Sequence, residues 1–367
     1  MTDEQILSAF TDDYAAARQG FRQAAADAGL SVTSHDTGEA GPLGEALTID
    51  VAESAAASAD ARVAFILSGG LHGVEGHFGS AVHVAALRAM AAERSPHTKA
   101  RLIFVHALNP WGFAWSRRTD ARNVDVNRAF RWPGMPAPAP DDRYGAVDAL
   151  LNPRRPPSSD LFRLRLLAAA LRAGPAVLKR TIASGQRSYP QGLFYAGADA
   201  PALQAFLEAG LPRWVGGATT VVHLDLHTGL GRRGSAALIV DYPLTDADRA
   251  WWTAAVGEGV LSEALRDATA YTASGSFGQW CAARAFAPCY RFAFAEFGTF
   301  GGTRILAGLR AENQAHHWAS PGDAARLTAK AGLRELFCPR DEGWRVPAVR
   351  RALTLIDAVR RAAAPDV

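Results

Sequence analysis

Apolar residues in this chain recur in two rhythms, one helical and one strand-like. Residues 3 to 28 bring Ile6, Phe10, Tyr14, Ala17 and Phe21 near one face, which predicts a helix. TGEAGPLG marks a turn, and ALTIDVA then alternates as a strand does. ARVAFILSGG is a short apolar run ending in glycines, the pattern of a buried parallel strand. GSAVHVAALRAMAAER is rich in Ala and Leu and predicts a helix; ARLIFVHALNP predicts a second apolar strand closed by Asn-Pro. A polar, Pro-rich stretch runs from about 110 to 160, with RWPGMPAPAPDD at its centre. Helical spacing returns at 161–172. TTVVHLDLHTG and SAALIVDYP predict two more strands, 244–268 a helix, and RFAFAEFGTF a further strand. Helices at 321–337 and 346–363 close the chain, and no internal repeat is visible.

Strands alternating with helices predict an α/β fold, a mixed but mainly parallel central sheet flanked by helices. The length suits one catalytic domain over 1–367, with a Pro-rich excursion inserted at about 131–160. In such folds chemistry gathers at the carboxyl ends of strands.

Composition narrows the classes. The chain has 367 residues, 49% apolar and 20% charged, with a net charge of +3. The basic residues are scattered with no long run, so nucleic acid is not expected as a partner. Three cysteines without C-x-x-C spacing fit a reducing compartment and argue against a thiolate zinc knuckle. The N-terminal stretch is acidic and amphipathic, unlike a signal peptide, and no apolar run approaches a membrane span of about 20 residues. A cytoplasmic protein without a membrane partner is the expectation.

Four predicted strand ends carry candidate chemistry. SGGLHGVEGHFGS (68–80) holds five glycines with His72 and Glu75 three apart. With ten histidines and 36 acids in the chain, chance supplies about one such pair. The second end carries NPWGF, Arg117, Arg118 and NVDVNR (123–128); the third carries His227 in HLDLHTG; the fourth carries Glu296 in AEFGTF. Two imidazoles and a carboxylate can bind a catalytic zinc ion, which takes three protein ligands plus water. Such an ion acidifies water and polarises a carbonyl. A second carboxylate must move the proton, an Arg must meet the oxyanion, and an Asn-Arg pair can hold a substrate carboxylate. Each element has a plainer reading: His227 as a structural histidine, and Asp125 and Asn127 as loop residues bonding the backbone. Their joint appearance after separate strands favours the metal site. Asp225, two before His227 on the same strand face, either orients a histidine or simply ends the strand.

On these motifs the chain resembles the zinc carboxypeptidase clan that includes carboxypeptidase A and the succinylglutamate desuccinylase/aspartoacylase enzymes. It is most similar to a bacterial metallopeptidase branch with the patterns SGxHGVEGxxGS, NPxGFxxxRR, NVDxNR, DLHTGLG and EFGT, which occur here in that order. The resemblance runs from about residue 45 to 315 and implies a zinc-carboxypeptidase-like fold. It implies zinc held by His72, Glu75 and His227, and Glu296 as general base and acid. It implies Asn127 and Arg128 at the substrate's carboxylate and an upstream Arg at the oxyanion, Arg118 ahead of Arg117, with Arg117 otherwise among the substrate-binding residues. Ala129 departs from the branch's usual Asn, and Leu71 is an extra residue before the histidine. The clan's capping tyrosine is open among Tyr242, Tyr271 and Tyr290. GQRSYPQGLFYAG (185–197) also resembles the branch and is expected in the pocket wall, or as a plain loop.

The expected activity is hydrolysis of an amide bond next to a free carboxylate, on a small peptide or an N-acyl amino acid. The alternatives are an aspartoacylase-like deacylase of N-acyl amino acids and a non-catalytic binding protein on the same fold. Other motifs fall away. GLGRRG (229–234) precedes a predicted strand rather than a helix, so it is a hairpin-like glycine turn and not a dinucleotide loop. SGSFG lacks the first glycine of a serine-hydrolase elbow. His316 and His317 could suggest a metal, but adjacent residues in a helical stretch are expected to point apart, which makes them surface or structural histidines. His77 has no assigned role beyond a helix-start residue near the site.

Overall fold

The computed structural model describes residues 1–54, 61–93, 100–135, 142–265 and 274–364. Its strands are β1 (Ser31–Ala40), β2 (Ala46–Glu53), β3 (Val63–Gly69), β4 (Ala100–His106), β5 (Thr220–Thr228), β6 (Ala236–Val240), β7 (Leu261–Glu263) and β8 (Cys289–Phe297). They form one sheet in the order β1-β2-β4-β3-β5-β8-β6-β7. The centre, β4-β3-β5-β8, is parallel, while β1, β2 and β6 join antiparallel.

The apolar runs become central strands because both their faces are covered. Along β3, β5 and β8 successive side chains enter opposite layers, as the strand's two-residue period requires. Phe65, Leu67, Leu224 and Ala295 face a layer built with helices Tyr14–Asp27, Gly76–Glu93 and Glu342–Ala363. Ile66, Val221, Phe292 and Phe294 face the other layer, which contains Leu207, Trp214, Phe277 and Trp280. Two-sided cover explains why β3 reads as a nearly unbroken apolar run.

The structure departs from the sequence reading in several places, and it adds helices at Pro175–Ala183, Ala202–Val215, Phe277–Arg284 and Gly302–Trp318. The N-terminal helix is two, Asp3–Leu7 and Tyr14–Asp27. The Asp13 side chain starts the second by accepting from the Ala16 amide at 2.8 Å. SVTSHDTGEA forms β1, whose polar composition suits an edge strand with many exposed residues. The 244–268 helix is Asp246–Val256 only; Gly257 (φ 86) ends it, β7 follows, and 266–268 lie outside the described residues. GLGRRG is a glycine turn, but not a hairpin, because β8 lies between β5 and β6 in the sheet. Among the described residues of the Pro-rich excursion, a helix spans Gly145–Leu151.

Several histidines are buried within the fold. His77, His83, His106 and His223 are each at most 5% exposed, and burial lowers the pKa of all four, to about 4 for His106 and His223. Groups held neutral in this way bind fewer protons folded than unfolded. Stability is therefore full above the unfolded value of 6.5 and falls as pH drops through about 4. Chemical denaturation between pH 7 and pH 4 is expected to reveal a loss of up to about 1.4 kcal/mol per pH unit per histidine. His106→Gln is expected to flatten that slope, and an unchanged slope counts against the assignment.

Candidate metal centre

The segment leaving β3 is forced close to its neighbours. Gly70 adopts φ 74, a left-handed conformation that glycine tolerates. Gly73 lies so close to the chain that an added Cβ would sit 2.0 Å from the Gly112 carbonyl carbon. Val74 and Gly73 donate to the carbonyls of Arg117 and Arg118 at 2.7 and 3.2 Å. The 3-10 turn Gly73–Glu75 is thereby pinned to the NPWGFAWSRR segment. This pinning carries His72, Glu75 and Arg118 into one place. Leu71 is fully buried in the apolar layer, and Ala129 is buried as well.

His227, next to last in β5, pairs in register with Glu296 on β8, so those two side chains neighbour each other across the strands. His72 Nδ1 lies 2.9 Å from Glu75 Oε1, and His227 Nδ1 lies 3.2 Å from Glu75 Oε2. The two rings stand 5.0 Å apart at 87°. Ligand atoms of His72, Glu75 and His227 all fall within 4.8 Å of one another, and all three residues are buried. Thr228 N donates to Glu75 Oε2 at 2.9 Å, and Leu230 N to Glu296 Oε1 at 2.7 Å, which fixes both carboxylates.

The outer nitrogen of each imidazole meets an aspartate. His227 Nε2 is 2.5 Å from Asp225 Oδ2, and His72 Nε2 is 3.3 Å from Asp125 Oδ1. Asp125 Oδ1 is buried with no hydrogen-bond partner, so an Nε2–H on His72 would satisfy it. With both rings protonated on Nε2, both Nδ1 lone pairs point at Glu75. Two lone pairs and a carboxylate around one point suit a divalent cation, and the nitrogen–oxygen donor set suits zinc. Arg118 Nη2 also lies 2.7 Å from His72 Nε2, so Asp125 and Arg118 compete for that nitrogen.

Charges are strongly coupled here. Burial opposes ionisation of Glu75, but the two histidines outweigh it and hold the carboxyl well below its ordinary range. Asp125 is likewise held low against burial, by Arg118 and Arg128. Burial opposes protonation of His227, yet Asp225 and Glu75 raise its pKa. Glu296 shifts the other way: burial first, then the Glu75 carboxylate, push it up to about 8.

The remaining predicted residues divide. Arg118 stays at the centre, with Nε 3.0 Å from Asp125 Oδ2 and a side chain 14% exposed. Arg117 points away into the protein. Its Nε donates to Glu312 at 3.0 Å, and its Nη2 donates to Asn123 and Asn313. Asn127 Oδ1 accepts from the Phe277 amide at 2.9 Å. Arg128 is 1% exposed, faces Asp125 with Nη1, and gives Nε and Nη2 to the Ala183 carbonyl. The 185–197 stretch packs against this segment: Tyr195 O accepts from the Asp125 amide, and Phe194 lies under the guanidinium groups of Arg128 and Arg118 at 4.8 and 5.8 Å. Tyr242 spends its hydroxyl on the Phe292 backbone, Tyr290 bonds His223, and Tyr271 lies outside the described residues. His77 packs edge-on against Phe113, and neither of its ring nitrogens has a partner. Asp125 escaped the sequence reading, because an acid in a turn-rich loop has a backbone-bonding explanation at hand.

The chain belongs to the family described as "Protein of unknown function (DUF2817)". The match covers residues 10–351. No curated protein matches the sequence. Among solved structures, bovine thrombin-activatable fibrinolysis inhibitor, in complex with tick carboxypeptidase inhibitor, overlaps with a TM-score of 0.53 at 10% identity. That overlap covers 97% of this chain and 98% of the other, and it establishes a carboxypeptidase-like fold. Carboxypeptidase A from Helicoverpa armigera overlaps with a TM-score of 0.46 at 15% identity, over 91% of this chain and 71% of the other. A murein-tripeptide amidase from Escherichia coli O157 overlaps with a TM-score of 0.37 at 19% identity, over 81% and 97%.

The two arginines should separate in experiment. Arg117→Ala is expected to cost about 3–5 kcal/mol by breaking a buried pair while leaving zinc affinity intact; denaturation and chelator competition read both. Asp125→Asn is expected to weaken zinc binding about 10- to 100-fold in the same competition, and unchanged affinity would count against a role for Asp125 at His72.

Proposed function

We propose that this DUF2817 protein is a zinc-dependent hydrolase of amide bonds, acting next to a free carboxylate on a small peptide or an N-acyl amino acid. The reading rests on one observation: Glu296 is buried beside His227, in register across the strands, yet outside the cluster of three donor residues. A ligand set alone supports a structural metal; a spare buried carboxylate next to it supports catalysis. Zinc, when bound, supplies a Lewis acid that polarises a carbonyl and acidifies water.

The chain's own residues do the rest. Glu296, fixed by the Leu230 amide, takes a proton from the attacking water and returns it to the departing nitrogen. Arg118 carries the guanidinium best situated for the developing oxyanion, being held by Asp125 beside His72 and still partly exposed. Asn127 and Arg128 receive the substrate's carboxylate. For that, Arg128 exchanges the Ala183 carbonyl for the anion, which two parallel guanidinium donors grip more strongly.

Glu296→Gln is expected to retain stoichiometric zinc while kcat falls by about 10²- to 10⁴-fold. A fully active variant would sink the mechanism. Peptides with free and amidated C-termini, assayed beside N-acetyl amino acids with and without chelator, address the substrate. Equal rates on free and amidated peptides remove the carboxylate grip, and a preference for N-acyl amino acids selects the deacylase reading.

A further inference from the structure

β5 carries the pattern His223-Leu-Asp225-Leu-His227, with polar residues at every second position. Alternation sends all three to one face of the sheet, the layer of Ile66, Val221, Phe277, Trp280, Phe292 and Phe294. Ser68 on β3 pairs in register with Asp225, and Tyr290 on β8 pairs one strand over with Val221. An apolar core layer is thus crossed by a line of polar side chains leading inward from the candidate metal centre. A buried polar side chain left unpartnered destabilises the fold. Each is bonded: His227 Nε2 to Asp225 Oδ2 at 2.5 Å, Ser68 Oγ to Asp225 Oδ1 at 2.6 Å, His223 Nε2 to Ser68 Oγ at 2.8 Å, and His223 Nδ1 to the Tyr290 hydroxyl at 2.9 Å.

The direction of these bonds follows from proton counting. The Asp225 carboxylate only accepts. Ser68 therefore gives its one hydroxyl proton to Oδ1, and its oxygen accepts from His223 Nε2–H. His223 is buried and neutral, its pKa lowered by burial to about 4, so it has one N–H and its Nδ1 accepts. Tyr290 must then donate to that Nδ1. At the other end Asp225 Oδ2 accepts from His227 Nε2–H. A neutral His227 ring consequently carries its proton on Nε2 and leaves Nδ1 bare, aimed at Glu75.

We propose that Ser68, His223 and Tyr290 are positioning residues, a one-way hydrogen-bond chain that orients Asp225 and so holds His227 with a bare Nδ1 turned to the metal. The proposal rests on the reading of His72, Glu75 and His227 as zinc ligands. It accounts for polar side chains at positions whose neighbours on the same face are Ile, Val and Phe. An apolar residue at 68 or 223 would fill the layer without needing partners, but would leave Asp225 free to rotate and His227 free to exchange tautomers.

Zinc affinity in the full-length protein, by competition with a chromogenic chelator, tests the chain, with thermal unfolding of the metal-free protein measured alongside. Ser68→Ala and His223→Phe are expected to weaken zinc binding about 10- to 100-fold. Tyr290→Phe, which removes only the terminal oxygen, is expected to cause a smaller loss in the same direction. Ser68→Thr keeps the hydroxyl, and His223→Gln keeps one donor and one acceptor; both are expected to restore most of the affinity. Wild-type affinity in Ser68→Ala or His223→Phe overturns the proposal. So does a loss that the two conservative variants fail to restore, because that marks a packing effect. If either truncation does not fold, Tyr290→Phe decides, with unchanged affinity overturning the chain. His227→Ala separates the two levels of inference. If wild type binds one zinc and His227→Ala does not, the ligand assignment stands and the chain is judged alone. If His227→Ala binds zinc as wild type does, the ligand assignment and the chain fail together.

Discussion

Buried negative charge organises this molecule. Glu75, Asp125, Asp225 and Glu296 are all at most 7% exposed and converge around two imidazoles. Carboxylates removed from water need cations or hydrogen-bond donors at close range. Here those come from His72, His227, Arg118, Arg128 and the Thr228 and Leu230 amides. The cluster does not treat its acids alike. Against burial, Glu75 is held low by its two histidines and Asp125 by Arg118 and Arg128, whereas Glu296 is pushed towards protonation. Environment thus drives neighbouring buried acids in opposite directions.

The sheet makes that concentration of charge sustainable. Parallel central strands end at one edge, so residues hundreds of positions apart arrive together with their backbones already hydrogen-bonded. Only the side chains then need partners. The close approach of Gly73 to Gly112 fits the same logic, since it lets the turn after β3 share backbone hydrogen bonds with the Arg117–Arg118 segment. A bulkier residue at 73 would push His72 and Glu75 away from Arg118 and open the cluster to solvent.

Parts of the centre were legible in the sequence for definite reasons. His72, Glu75, His227 and Glu296 lie at or just past the carboxyl ends of strands, the edge of such a sheet where polar side chains meet. Arg117 and Arg118 could not be told apart that way. Both sit in a turn, and what distinguishes them is a helix nearly 200 residues on, Gly302–Trp318, which brings Glu312 and Asn313 to Arg117. Arg128 is similar: its inward direction depends on the Ala183 carbonyl at the end of helix Pro175–Ala183. Tyr290 and Tyr242 looked like substrate-facing candidates, yet one bonds His223 and the other the Phe292 backbone.

By itself, the sequence determined the α/β architecture and the parallel strands. Those features follow from hydrophobic period and strand length, which are local and additive along the chain. The direction of each loop side chain, the absence of a β5–β6 hairpin, and the partner of each outer imidazole nitrogen were decided only by tertiary structure. Those outcomes depend on which distant acceptor lies within about 3 Å, and hydrogen bonds weaken steeply beyond that reach.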